Sequence, residues 1–288
     1  MNDSEVESYT NDQGLVAVLK TKRGAKRALV IGDPMYDIYW IGQVTGISAE
    51  VPIPKVTCKK GHVKYMPGGA ANVMANLRGL NVNALMVYPD EGQRPEKNRL
   101  MVDDYQMARW DYHDSCPPID PRDILRMVKV HRPDAIVVAD YNKGGIDGPT
   151  LQAIDDISKD LPIYVDTKRD PALYPEKACF FPNQTEYDQF PFEYTNAERC
   201  ILKQGPQGMQ FLEKGEVMGS VEALVRYPVC VNGAGDTVMA AFVSAELQKE
   251  ASPLYYAAVA AAVAVSTPYT TIVSSSGVDK LSKQLSSL

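Results

Sequence analysis

A chain of 288 residues with 45% hydrophobic content can bury one large core, and its length admits one domain or two. Its formal net charge of -6 gives no broad positive field, which argues against nucleic acid or an anionic membrane as partner and leaves any phosphate site to be local. Five scattered cysteines without a CxxC pair, and three dispersed histidines, give neither a disulfide framework nor a zinc set, and suit reduced thiols in a cytoplasm.

Along the chain, the first 24 residues are polar and mixed in charge, without the basic start and apolar core of a secretion signal. Continuous apolar runs then alternate with helical patterns: RALVIGD at 27–33, NALMVY at 83–88, AIVVAD at 135–140, PIYVD at 162–166, ACFFPN at 178–183 and CILKQG at 200–205. Runs of this kind predict parallel strands covered on both faces, an α/β fold. Ligands of such sheets sit beyond the carboxyl ends of the strands, where Asp33, Asp140, Asp166 and Asn183 fall. Two stretches, 36–66 and 95–112, are rich in β-branched and aromatic residues with Gly and Pro between them. They read either as a small antiparallel lid over that rim or as a surface meander. VRYPVCV at 225–231 is strand-like. LYYAAVAAAVAV at 254–265 is too short for a membrane span and predicts a buried helix, capped by Ser252, begun at Pro253 and stopped by Pro268. Without repeats or linkers, the chain reads as one domain, 1–288, with an inserted lid.

Three short motifs carry candidate chemistry. Gly233, Ala234, Gly235 and Asp236 precede a helical pattern in which Val238, Phe242 and Ala245 share a face. Unpaired N–H groups at a helix start favour phosphate oxygens, and a carboxylate at their mouth can take a proton; the alternative is a plain glycine turn with a first-turn acid. Pro67 to Asn72, PGGAAN, allows close backbone approach and an amide for sugar hydroxyls, or is a simple loop-to-helix junction. In Asn183-Gln184-Thr185-Glu186, Glu186 either completes a helix capping box or stands near a hydrated Mg²⁺.

In order, GDPMYDIYWIG at 32–42, ISAEVPIPKV at 47–56, PGGAANVMANL at 67–77, ADYNKGGI at 139–146, YVDTK at 164–168, PNQTE at 182–186 and NGAGDTV at 232–238 resemble the ribokinase-like (PfkB) sugar kinases. The resemblance is nearest to their heptose-7-phosphate kinase branch and runs from about Ala28 onward. It implies a three-layer α/β fold with a mostly parallel sheet and a small β lid. It also implies ATP as co-substrate, Mg²⁺, and a homodimer paired through the lid. The family's catalytic base falls on Asp236, with Gly233, Ala234 and Gly235 cradling the transferring phosphoryl group. Sugar contacts fall on Asp37, Gly68, Gly69 and Asn72, with Asp33 and Asp140 at the same rim. Asn183 and Glu186 match the phosphate and magnesium motif, and Lys203, Gly205 and Gly208 the loop beside the nucleotide. Lys97 and Arg99 match a Lys-x-Arg pair of the heptose phosphate kinases, and with Lys143 and Lys168 are candidates to hold an acceptor phosphate; each also reads as a solvated surface cation.

The chain departs from the family at several points. Cys230 and Asn232 stand where relatives have Asp and Thr beside a monovalent cation, and a thiol is a poor ligand for a hard cation, so potassium activation is in doubt. Ala258 replaces an Asn, Tyr269 replaces a Gly near the adenine pocket, and 90–95 is shortened. Two functions follow: a kinase of a sugar or sugar phosphate, heptose 7-phosphate foremost, or a kinase fold that binds a sugar phosphate or nucleotide without turnover.

Overall fold

The computed structural model describes residues 8–9, 16–17, 24–89, 92, 94–103 and 105–287. Most of the N-terminal stretch without a secretion-signal pattern lies outside them, as does part of the shortened 90–95 segment. In chain order the strands are β1 (Ser8–Tyr9), β2 (Val16–Ala17), β3 (Arg27–Gly32), β4 (Pro34–Ile47), β5 (Pro54–Gly69), β6 (Asn83–Val87), β7 (Glu96–Val102), β8 (Tyr105–Tyr112), β9 (Ala135–Asp140), β10 (Ile163–Thr167), β11 (Cys179–Phe180), β12 (Arg199–Lys203), β13 (Met209–Glu213) and β14 (Glu216–Val221). The helices are α1 (Ala70–Gly79), α2 (Pro121–His131), α3 (Gly148–Ser158), α4 (Gln184–Gln189), α5 (Pro191–Asn196), α6 (Ala234–Gln248), α7 (Pro253–Val265) and α8 (Ser275–Ser286).

The six apolar runs are the six parallel strands of one sheet, ordered β12-β11-β10-β9-β3-β6, and β13 and β14 extend it antiparallel beyond β12. Their hydrophobicity is continuous because helices cover both faces. In β3, Ala28 and Val30 enter the core formed with α1, α6, α7 and α8, while Leu29 and Ile31 enter the core formed with α2, α3 and α5. Helix α6 packs against both α1 and α7, which explains its unbroken buried run from Asp236 to Ala245. No helix among the described residues is long and apolar enough to cross a membrane.

Two local expectations are corrected. Residues 225–231 form no strand: Pro228 has no N–H to give a ladder, and the N–H groups of Val229 and Cys230 donate to Val265 O at the end of α7, at 2.7 and 3.2 Å. Helix α7 begins at Pro253 and ends at Val265, ahead of Pro268, but the Ser252 side chain makes no capping hydrogen bond.

The segments 36–66 and 95–112 contribute to a second, mixed sheet of four strands, β5-β4-β7-β8. Register assigns its faces. Lys97 stands opposite Asp37 and Asp111, and Arg99 opposite Tyr39 and Arg109, so these six share one face. Asn98 and Trp110 belong to the other, where Trp40 Nε1 donates to Asn98 Oδ1 at 2.7 Å.

Candidate active site

The site is built around the head of α6. Gly233 precedes it with φ 75°, a left-handed backbone that disfavours a side chain, and a Cβ there would lie 2.6 Å from Asn72 Nδ2. The first i→i−4 bond runs from Thr237 N to Gly233 O at 3.0 Å, so the N–H groups of Gly235 and Asp236 precede the helical ladder and are available to an anion. Gly235 opens towards Lys203, whose Nζ would be 3.3 Å from an added Cβ.

Asp236 is 6% exposed, and both its oxygens are held: Asn72 Nδ2 donates to Oδ2 at 2.9 Å, and the Tyr141 hydroxyl donates to Oδ1. Burial pushes this carboxyl above the ordinary carboxylate range, and the two donors oppose the shift. A cavity of about 530 Å³ runs past it. The four-stranded sheet lines the cavity with Asp37, Lys97, Arg99 and Arg109; the main sheet and its loops add Tyr141, Asp166, Lys168, Asn183 and Lys203. Ala258, Ala261, Ala262 and Val265 of α7, with Leu224 and Val225, form an apolar wall.

No family model matches the chain. The bifunctional protein HldE of Coxiella burnetii is 27% identical over 74% of this chain and 54% of its own length, and HldE of Pectobacterium atrosepticum is 26% identical over 75% and 54%. The chain therefore spans about half the length of the curated relatives it matches. Phosphofructokinase-2 from Escherichia coli superposes with a TM-score of 0.68 at 16% identity, covering 91% of this chain and 100% of that one. Ribokinase from Arabidopsis thaliana gives 0.59 at 15% identity, with 89% and 98% covered. The fold is ribokinase-like.

On this ribokinase-like frame, Asp236, Gly233, Ala234, Gly235, Asp37, Gly69, Lys97, Arg99, Lys168, Asn183, Lys203, Gly205 and Gly208 all line the one cavity. Asp33, Gly68, Asn72, Asp140, Lys143 and Glu186 do not, and their contacts explain each. Asp33 is fully buried. Its oxygens accept from the backbone N–H groups of Tyr141, Lys143 and Gly145 at 2.9, 3.1 and 2.9 Å, so it staples the loop after β9 instead of meeting a sugar. Asp140 accepts from Asn142 N at 2.8 Å, Arg169 Nε at 2.7 Å and the Tyr174 hydroxyl at 2.5 Å. Lys143 pairs with Asp114. Gly68 lies under Asp37, whose Oδ2 would be 3.1 Å from a Cβ, and Asn72 acts on Asp236 from behind the cavity. Glu186 completes the capping box: Glu186 N donates to Asn183 Oδ1 at 2.9 Å, and Asn183 N to Glu186 Oε2 at 2.8 Å.

Sequence reasoning leaves out the charge pairing inside the cavity. Asp37 Oδ1 accepts from Arg99 Nη2 at 3.1 Å, and its Oδ2 from the Thr270 hydroxyl at 3.2 Å. Asp166 carries two ammonium groups, Lys168 at 3.0 Å and Lys203 at 2.5 Å. Burial pushes the Asp166 carboxyl up, and the two lysines more than offset it, holding it below the usual range. Lys168 also reaches Glu186 Oε1, and despite the cost of burial its two carboxylate partners hold its ammonium above the ordinary lysine range. Tyr141 and Arg109 give no signal in one sequence, because a DYN turn and a strand Arg are common surface features; only the loop staple brings Tyr141 into the cavity, and only the register brings Arg109, exposed and paired with Asp111, to its edge.

Proposed function

We propose that the protein is an ATP-dependent carbohydrate kinase that phosphorylates a hydroxyl of a sugar phosphate. The observation that carries this reading is a buried carboxylate, Asp236, at an open helix N-terminus in one cavity with two separate sets of cations. Lys203 stands beside that N-terminus and shares Asp166 with Lys168, while Lys97, Arg99 and the Asp111-paired Arg109 belong to the small sheet. One set suits a polyphosphate, and the other an anionic acceptor.

In this reaction the acceptor hydroxyl oxygen bonds to the γ-phosphorus, its proton passes to Asp236, and the bond to the β-phosphate oxygen breaks, leaving ADP with the electron pair. The N–H groups of Gly235 and Asp236, with Lys203, offset charge on the transferring group. Asp37, fixed by Arg99 and Thr270, meets a sugar hydroxyl. The apolar wall of α7 suits a purine ring. The donor set near the polyphosphate fits Mg²⁺ at one remove: both Glu186 oxygens already accept, from Lys168 and from Asn183 N, so the carboxylate can lean on a hydrated ion through water. Mg²⁺ carried by the nucleotide would neutralise the β- and γ-phosphates. Beside the nest, Asn232 Nδ2 donates to the Tyr39 hydroxyl at 3.4 Å, a neutral link that supports transfer without potassium.

The leading acceptor is D-glycero-β-D-manno-heptose 7-phosphate at its C1 hydroxyl, supported by the HldE relatives and by the cations of the small sheet. Incubation of the protein with Mg-ATP and heptose 7-phosphate, fructose 6-phosphate, ribose or adenosine is expected to yield ADP and a new phosphate ester, fastest with a phosphorylated acceptor and equally with or without potassium. Binding without turnover across that panel would favour the non-catalytic kinase fold instead. The small sheet also exposes Ile47, Tyr65, Tyr105 and Tyr112, each more than half accessible, an apolar surface suited to a second copy of the chain. Light scattering is expected to give twice the chain mass of 31.7 kDa; a single-chain mass at working concentration removes the dimer.

A further inference from the structure

The loop after β9 brings an uncharged residue to the centre of the charged cavity. Tyr141 is fixed at its backbone, where its N–H donates to the buried Asp33 at 2.9 Å. Its hydroxyl reaches Asp236 Oδ1, and its ring faces two ammonium groups, Lys97 Nζ at 5.1 Å and Lys168 Nζ at 5.5 Å from the centroid. On the far side, Asn72 holds Asp236 Oδ2 and is itself held by Asn76, whose Nδ2 donates to Asn72 Oδ1 at 2.9 Å. Asp236 is thus gripped from two elements that are each anchored behind the cavity, one by Asp33 and one by α1.

We propose that Tyr141 is a positioning residue for the base: it and Asn72 each take one oxygen of Asp236, fixing the carboxylate plane so that a remaining lone pair faces the acceptor hydroxyl. This rests on the reading of Asp236 as the base. A carboxylate oxygen has room for a second donor, so the phenol and a sugar hydroxyl can share Oδ1. Burial raises the phenol's own pKa well above its ordinary value, with neighbouring carboxylates adding to the shift, so Tyr141 stays a donor across the working pH range. The same hydrogen bond favours the ionised carboxylate, the form able to accept a proton, against the burial that disfavours it. Other charged groups around Asp236 are Asp166 from β10, Lys203 from β12 and Lys97 from β7, with Asp37 of β4 and Lys168 facing Tyr141.

Tyr141→Phe keeps the ring, and the anchoring bond is from the backbone, so the fold is retained. The test is a ¹³C titration of aspartate carboxyls in the wild type and in Tyr141→Phe, with the Asp236 signal identified by its loss in Asp236→Asn. Its midpoint is expected to rise by about one pH unit in Tyr141→Phe, the scale of one lost hydrogen bond to a charged group. The acid limb of kcat/KM should move up with it, while KM for ATP stays unchanged. An identical Asp236 midpoint in the two proteins overturns the proposal. Wild-type turnover in Asp236→Asn would instead remove the base assignment, and the carboxyl titration would still decide whether Tyr141 holds Asp236.

Discussion

Asp236→Asn is expected to lower kcat by on the order of 10²–10⁴, the loss typical of a removed general base, with KM for both substrates moving far less. The substitution changes little else. An amide of the same size can still accept from Asn72 Nδ2 through its oxygen, and its NH₂ can donate to the Tyr141 hydroxyl, which accepts as readily as it donates. The nest is backbone and stays in place behind Gly233. What disappears is the buried carboxylate proposed to take the acceptor proton. The wild-type acid limb should follow Asp236, whose pKa burial raises: transfer is present above that pKa and is lost as pH falls through it. Steady-state kinetics on the best acceptor of the panel provide the check, and an unchanged kcat in Asp236→Asn sinks the assignment.

The fold was legible because its signals are local and repeated. Six short apolar runs such as AIVVAD, rich in β-branched residues and bounded by polar ends, point to strands covered on both sides, and the structure makes them the parallel core of the sheet. Residues 225–231 misled because apolar content outweighs one proline in a propensity reading, whereas the tertiary partner, the end of α7, decides the backbone. The site was legible where backbone geometry makes the residue type compulsory, as at Gly233. It was not legible where a carboxylate's role depends on its donors. Asp33, Asp140 and Asp166 look alike as polar strand ends, yet Asp33 and Asp140 are consumed by loops and Asp166 by two lysines. Asp37, inside β4 and bonded at one oxygen by Arg99 and at the other by Thr270, lies on the cavity face of the small sheet. Which donor reaches which oxygen is set by contacts between different elements of the fold, such as Arg169 with Asp140, Lys203 with Asp166 and Thr270 with Asp37, beyond what spacing encodes.

Lys97→Met is expected to separate acceptors by charge. Lys97 shares the cavity face with Asp37 and Arg99, but unlike Arg99 it is not the ion-pair partner of Asp37, so its loss strands no buried charge. A charge-assisted hydrogen bond to phosphate contributes about 1.5–3 kcal/mol, so kcat/KM for a phosphorylated acceptor should fall roughly 10- to 100-fold. Ribose, which carries no phosphate, should change by no more than about threefold, within the context dependence of a single contact. Burial lowers the Lys97 pKa below the ordinary lysine range, partly opposed by Asp37 and Asp236. Its charge, and with it the proposed grip on the acceptor phosphate, is present below that pKa and lost as pH rises through it. The KM of the wild type for the phosphorylated acceptor should therefore climb on the alkaline side at lower pH than an ordinary lysine gives, and Lys97→Met should flatten that limb. If the ammonium instead serves Asp236 through its field, ribose and sugar phosphate will lose kcat together and the acid limb will shift for both. Equal loss for the two acceptors would reassign Lys97 from the acceptor's phosphate to the base.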